Sequence, residues 1–228
     1  MTERAATSPA KAATRGPLVA WLTIAALFAV LGFASTSSGP PDREILYSYG
    51  FAIGSSATYA VLVAITLGLA AWLGRPLADT GLKRFRWRWI FIALGLIILV
   101  LVLGQILEPL LHAGEEQGLE PKVWRADRST AFAVNAVVAA TVVPFAEELF
   151  FRGLGVRVLV PFGAVLAIVV TALAFGLGHG LLVALPTLVP FGVALAWVRW
   201  RSDSVWPGMI AHGFYNGLAL LVVYLTLA

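Results

Sequence analysis

Long apolar runs alternate with short polar loops along the chain. Each run is near the length of about 20 residues that a helix needs to cross a hydrocarbon core. The pattern therefore predicts an all-α fold, a polytopic transmembrane helical bundle of about seven spans. The predicted spans are 17–35, 49–74, 89–111, 131–158, 163–184, 187–201 and 206–227.

Composition supports a membrane protein and narrows its chemistry. Hydrophobic residues make up 60% of the 228 residues and charged residues 12%, against about 45–50% and 25% in soluble proteins. The absence of cysteine excludes disulfides, thiolate nucleophiles and cysteine-based zinc sites. The basic residues lie beside the apolar runs, so the net charge of +4 is explained as a topology signal, and no nucleic-acid partner is expected.

The loop charges predict an orientation and a division of the chain. Lysine and arginine concentrate in the N-terminal tail, in loop 75–88, in the turn after the fourth span and at the end of the sixth, which places these regions and the N-terminus in the cytoplasm. We expect residues 1–16 to be a disordered basic tail. Residues 17–128 then hold the first three spans with an outer loop, and 129–228 form a second helical unit.

Three ionisable residues lie inside the fourth span. Each costs roughly 2.5–3.5 kcal/mol to insert, so each needs a partner or a function. Glu148 and Arg152 are four residues apart and can form an ion pair on one helix face. Glu147 points roughly 140° away from Arg152 in an α-helix and is left without a partner, as a general base requires. The alternative is one buried structural network of all three residues.

Two histidines and an asparagine in later spans favour chemistry over structure. The turn signal Pro161-Phe162-Gly163 lies midway between Glu147 and His179, so an antiparallel pair of helices would bring both to one depth. His212 lies about 8 Å inside the seventh span, with Asn216 one turn further on. These side chains are therefore predicted to meet in one layer near the cytoplasmic face.

This set of groups suits the activation of water for attack on a peptide bond. Glu147 would take a proton from water, His179 would position that water, and His212 with Asn216 would donate hydrogen bonds to the oxyanion. Alternatively, Glu147, His179 and His212 could bind Zn²⁺, because two imidazoles and a carboxylate form a catalytic zinc set. Both versions fit the residues, and both imply a peptide or protein substrate at the cytoplasmic side of the membrane.

Three motifs in these spans resemble those of one family. They are EExxxR at Glu147, Glu148 and Arg152, FxxxH at Phe175 and His179, and HxxxN at His212 and Asn216. They occur in the order found in the CPBP family, the CAAX prenyl proteases and bacteriocin-processing enzymes, also called the ABI family. The resemblance covers roughly residues 130–227 and makes 129–228 the expected catalytic core.

The resemblance implies an intramembrane endopeptidase in a bacterial-type cell membrane. It implies that Glu147, His179, His212 and Asn216 are catalytic and that Glu148 and Arg152 support the site. The family has been described both as metalloproteases and as glutamate-dependent enzymes. Two other functions are considered: a non-proteolytic immunity or scaffold protein that binds a peptide or partner, and a transporter whose buried glutamate and histidine relay protons.

Overall fold

Seven long helices form the chain in the computed structural model, which describes residues 9–37, 42–74, 76–113 and 121–228. No strand occurs in these ranges, which confirms the all-α prediction. The helices are α1 (Pro9–Thr36), α2 (Tyr49–Trp72), α3 (Arg88–Leu111), α4 (Ser129–Glu147, continued by Glu148–Gly155 and Val156–Leu159), α5 (Ala164–Gly178), α6 (Leu185–Ser202) and α7 (Trp206–Leu227).

Five of the described helices are long and apolar enough to cross a membrane. They are α1 from Arg15, α2, α3, α4 and α7, while α5 is equally apolar but shorter. Helix α6 is amphipathic at its end, where Arg199 and Arg201 occupy the last turn. The seven helices agree with the predicted number of spans, and the chain is an integral membrane protein. The cytoplasmic position of the N-terminus stays a prediction.

The helices of the N-terminal half pack directly against those of the C-terminal half. Helix α1 lies on α5, α2 on α4, and α3 on both α6 and α7, while α4 also contacts α7. One hydrophobic core therefore includes side chains from both halves, among them Trp21, Ile97, Phe150, Phe175 and Leu195, all at most 1% exposed. The division at residues 128 and 129 stays a prediction, but the two parts share their core.

Two helix boundaries differ from those predicted. Helix α1 already begins at Pro9, so residues 9–16, expected to be disordered, are helical. Alanine, lysine and arginine favour helix, which outweighs the polarity of this segment. Residues 1–8 of the predicted tail lie outside the described residues. Helix α5 ends at Gly178 although the apolar run continues to 184, because Gly180 takes a left-handed conformation with φ of 67°.

A tight turn between α4 and α5 supports the predicted antiparallel pair. Residues Val160–Phe162 form a 3₁₀ turn, and Gly163 follows with φ of 131°, a conformation that glycine adopts most easily. At the other end of α5, Gly180 packs on the backbone of Gly32 in α1, and Thr36 donates a hydrogen bond of 2.9 Å to the Gly180 carbonyl. Helix α1 thus supports the chain just beyond His179.

Candidate active site

The EExxxR motif lies where α4 changes its winding. Residues Glu148–Gly155 are π-helical and fully buried, between α-helical turns on both sides. A π-helix bonds residues five apart, is rare in proteins and is frequently found at functional sites. Glu147 is the last α-helical residue. Because the π-helix has more residues per turn, the angle around the helix axis between Glu147 and Arg152 is smaller than the roughly 140° expected of an α-helix. The hydrophobic pattern of the sequence cannot show this change in winding, because every residue of the π-helical segment is buried and no exposed face marks the helix period.

Glu148 and Arg152 form the predicted ion pair. Arg152 Nη1 donates to Glu148 Oε1 at 2.8 Å, with both side chains at most 1% exposed. Arg152 Nη2 also donates to the Gly192 carbonyl at 3.4 Å, and the guanidinium carbon lies 4.1 Å from the centre of the Phe175 ring. The Phe175 ring face stabilises the cation where water is absent. This arrangement supports the structural role expected of the pair.

His212 connects the two glutamates. Its Nδ1 lies 3.1 Å from Glu148 Oε1, and its Nε2 lies 3.8 Å from Glu147 Oε2. Because a carboxylate accepts, Nδ1 carries a proton that it donates to Glu148. The ring is held between Phe175 and Phe191, whose centroids lie 5.7 and 4.9 Å away. His212 is therefore fixed in orientation, with Nε2 directed at the second carboxylate.

Glu147 has a partner that the sequence did not identify. Tyr59, on α2, donates its hydroxyl to Glu147 Oε1 at 2.8 Å. The expectation that Glu147 lacks any partner was wrong, because a helix remote in sequence supplies one. A signal was present, since a tyrosine hydroxyl in the middle of a span needs a hydrogen-bond partner. Glu147 Oε2, in contrast, is buried and makes no hydrogen bond in the described part of the chain.

His179 and Asn216 border this cluster and are each held by a backbone carbonyl. His179 Nδ1 lies 2.8 Å from the Phe175 carbonyl, so Nδ1 donates and Nε2 of the neutral ring is an acceptor. The His179 ring packs on Phe175, 4.6 Å between centroids, on which His212 also packs. Asn216 donates to the Ala139 carbonyl of α4 at 2.9 Å. His179 thus shares the Phe175 ring with His212, and Asn216 lies one turn from His212 on α7, but neither is bonded to Glu147.

The cluster is buried and charged. Glu147 is 2%, Glu148 0%, Arg152 0% and His212 3% exposed. With both carboxylates ionised and Arg152 positive, the three groups sum to −1, and a proton on His212 brings the sum to zero. An imidazolium at His212 would be able to donate from both nitrogens.

A metal ion does not fit the described residues as they are arranged. The zinc version requires Glu147, His179 and His212 around one point. Within the described ranges, no group of three or more histidine, aspartate and glutamate side chains lies close enough to hold a metal. His212 Nδ1 is directed at Glu148 and His179 Nδ1 at a carbonyl. We therefore derive the chemistry from the side chains alone.

The fold and the site together define a polytopic membrane protein with a buried glutamate and histidine cluster. Residues 129–218 match the family model described as type II CAAX prenyl endopeptidase Rce1-like. The chain is therefore similar to that family over this segment, which confirms the resemblance to the CPBP family. All three motifs lie within the matched residues. Comparison with curated proteins and with solved structures gives no match.

Proposed function

We propose that this protein is an intramembrane endopeptidase that hydrolyses a peptide bond in a membrane-associated peptide or protein. The observation that carries the proposal is the position of Glu147 Oε2, which is buried, makes no hydrogen bond within the described residues and lies 3.8 Å from His212 Nε2. The family match supports the same reaction, because its members are described as endopeptidases. The substrate side of the membrane remains the cytoplasmic one predicted from the loop charges.

Glu147 is proposed as the general base. A water molecule at about 2.8 Å from both Glu147 Oε2 and His212 Nε2 is sterically compatible with their separation. Glu147 would take one proton from this water, and the water oxygen would attack the carbonyl carbon of the substrate. The proton would then pass from Glu147 to the leaving nitrogen as the C–N bond breaks. His179 Nε2, an acceptor, would hold the second hydrogen of the water.

His212 and Asn216 are proposed to stabilise the oxyanion. In this role His212 would act as an imidazolium, whose Nε2 donates a hydrogen bond to the developing negative charge. The carboxamide of Asn216 has two N–H groups, of which one is bonded to the Ala139 carbonyl and one remains for substrate. Both residues are on α7, one turn apart, so one helix would supply both donors.

The substrate would approach between α4 and α7. Two apolar grooves lie between these helices, one of about 440 Å³ that includes Phe145, Met209 and Gly213, and one of about 740 Å³ further along that includes Phe132 and Gly217. Between them the helices touch, since a side chain at Gly213 would collide with the Ala140 carbonyl. These two grooves contain no residue of the polar cluster, so a substrate that enters by them would part α4 and α7 to reach it.

Cleavage by reconstituted protein tests the proposal. The purified chain in lipid vesicles would be offered a panel of lipid-anchored and unmodified peptides carrying a fluorescence donor and quencher. We expect Glu147→Gln to lower kcat by about 10²- to 10⁴-fold, the contribution of a general base. Glu108→Gln removes a carboxyl group from α3 instead and is the matched control, expected to retain activity.

Chelation distinguishes the two mechanisms. Activity that survives prolonged dialysis against a chelator would support metal-free chemistry. Loss on dialysis and recovery with Zn²⁺ would instead contradict the metal-free assignment. Peptide binding without cleavage by the wild-type chain would favour the immunity or scaffold function. The proton-relay transporter has less support, because buried Asn135, a candidate relay group, is bonded to the Leu46, Ser48 and Ala131 carbonyls.

A further inference from the structure

Tyr59 reaches the candidate active site from outside the matched segment. It lies on α2, while the family match covers residues 129–218, and its hydroxyl is 2.8 Å from Glu147 Oε1. We propose that Tyr59 is a positioning residue, which holds Glu147 so that Oε2 faces His212 and the reacting water. The proposal rests on the proposed function of Glu147 as general base.

The two oxygens of Glu147 differ because of Tyr59. Oε1 accepts the phenolic O–H, whereas Oε2 makes no hydrogen bond within the described residues. His212 faces Oε2 from α7, whereas Tyr59 reaches Oε1 from α2. A direct bond to His212 would need Oε2 to move from 3.8 Å to about 2.8 Å. Tyr59 opposes this movement by holding Oε1 toward α2, which keeps Oε2 available for water.

Helix α2 is well suited to hold the phenol in place. Tyr59 lies on the same stripe of α2 as Ala52, Leu62 and Thr66, at helical spacings of three and seven residues. These three residues are at most 4% exposed, so this stripe is the face that packs into the bundle. The tyrosine ring itself packs against the hydrophobic core. Helix packing thus restricts where the hydroxyl can lie.

Removing only the hydroxyl tests this role. Tyr59→Phe keeps the ring and its packing, and we expect kcat to fall by about 10- to 100-fold with KM changed by less than about twofold. Tyr47→Phe is the matched control, since Tyr47 is 4% exposed and its hydroxyl donates to the Val123 carbonyl at 3.2 Å, away from the site. That variant should keep its kcat. Rates are expressed per folded molecule, measured by thermal unfolding of each variant.

A double variant shows whether Tyr59 acts through Glu147. If it does, adding Tyr59→Phe to Glu147→Gln causes no further loss of the residual rate. Losses that multiply would overturn the proposal, as would a Tyr59→Phe variant with wild-type kcat, or a fall in kcat that Tyr47→Phe reproduces. Equal cleavage by wild type and Glu147→Gln would have a different meaning, because it would refute the proposed base itself.

Discussion

Loss of the Arg152 side chain should destabilise the protein more than loss of any other arginine for which the structure describes an ion pair. Arg152→Ala leaves the carboxyl group of Glu148, which is at most 1% exposed, without the cation that lies 2.8 Å away. Removing one partner of a buried ion pair costs about 3–5 kcal/mol. The contact of the guanidinium with Phe175, at 4.1 Å, is lost as well. The remaining hydrogen bond from His212 to Glu148 places the expected cost near the lower limit, about 3 kcal/mol.

Arg199 provides the comparison. It also pairs with a carboxylate four residues away, Asp203, but that carboxylate is exposed to water whereas Glu148 is buried. Arg199 is buried, but Asp203 is 67% exposed, so water solvates the carboxylate when Arg199 is removed. Arg199→Ala should cost about 1–2 kcal/mol, mainly through lost packing of the arginine stem.

Reversible unfolding in mixed detergent micelles measures both costs. The double variant Glu148→Leu with Arg152→Met should recover part of the stability lost in Arg152→Ala, since no unpaired charge then remains. If Arg152→Ala costs less than about 1 kcal/mol, or no more than Arg199→Ala, the pair is not the main support of the site and the reasoning is refuted.

Three further variants follow from the structure. Gly180→Ala should cost about 1–3 kcal/mol and lower activity, because alanine is strained at φ of 67° and its Cβ would collide with the Gly32 backbone; unfolding and cleavage assays check this, and an unchanged rate would contradict it. Asn216→Ala should lower kcat by about 10²- to 10³-fold. The loss of its hydrogen bond to the Ala139 carbonyl should lower the free energy of unfolding by only about 0.6 kcal/mol. A rate loss explained by unfolding alone would argue against an oxyanion role. Burial raises the pKa of Asp203, but its bonds to Lys83 and Arg199 outweigh this and lower the pKa below its usual value. Asp203→Asn should therefore cost less than about 1 kcal/mol of stability at neutral pH. The unfolding free energies of the wild type and this variant should converge as the pH falls through the pKa of Asp203 in the folded protein.

Much of the fold can be predicted from the sequence because a bilayer imposes a simple rule. Every span must be apolar and about 20 residues long, so hydropathy locates each of the seven helices, although it misplaces the start of α1 and the end of α5. The turn at Gly163 is also predictable, since it combines proline and glycine. The pair Glu148 and Arg152 follows from the same logic, because a charge in a span needs a nearby partner.

The contacts between distant helices were not predictable in the same way. Tyr59 meets Glu147 only because α2 packs on α4, and no local pattern in either helix specifies that pairing. The early end of α5 depends on Gly180 and its close approach to α1, which hydropathy does not register. The π-helix was not predictable either, since contacts with neighbouring helices decide the winding of a helix that is buried on all sides.

The π-helical segment Glu148–Gly155 limits how the length of this chain can vary. Before it, α4 presents Glu147 to α2 and α7, within it Phe151 packs on Phe28 of α1 and on Phe175 of α5, and after it Val158 packs into the hydrophobic core. Removing one residue from the segment would rotate everything beyond it by about 100°, and the later half would face the wrong neighbours. A substitution here alters one contact, whereas a one-residue deletion or insertion misaligns the helix. The motif is therefore a constraint on spacing as much as on residue identity.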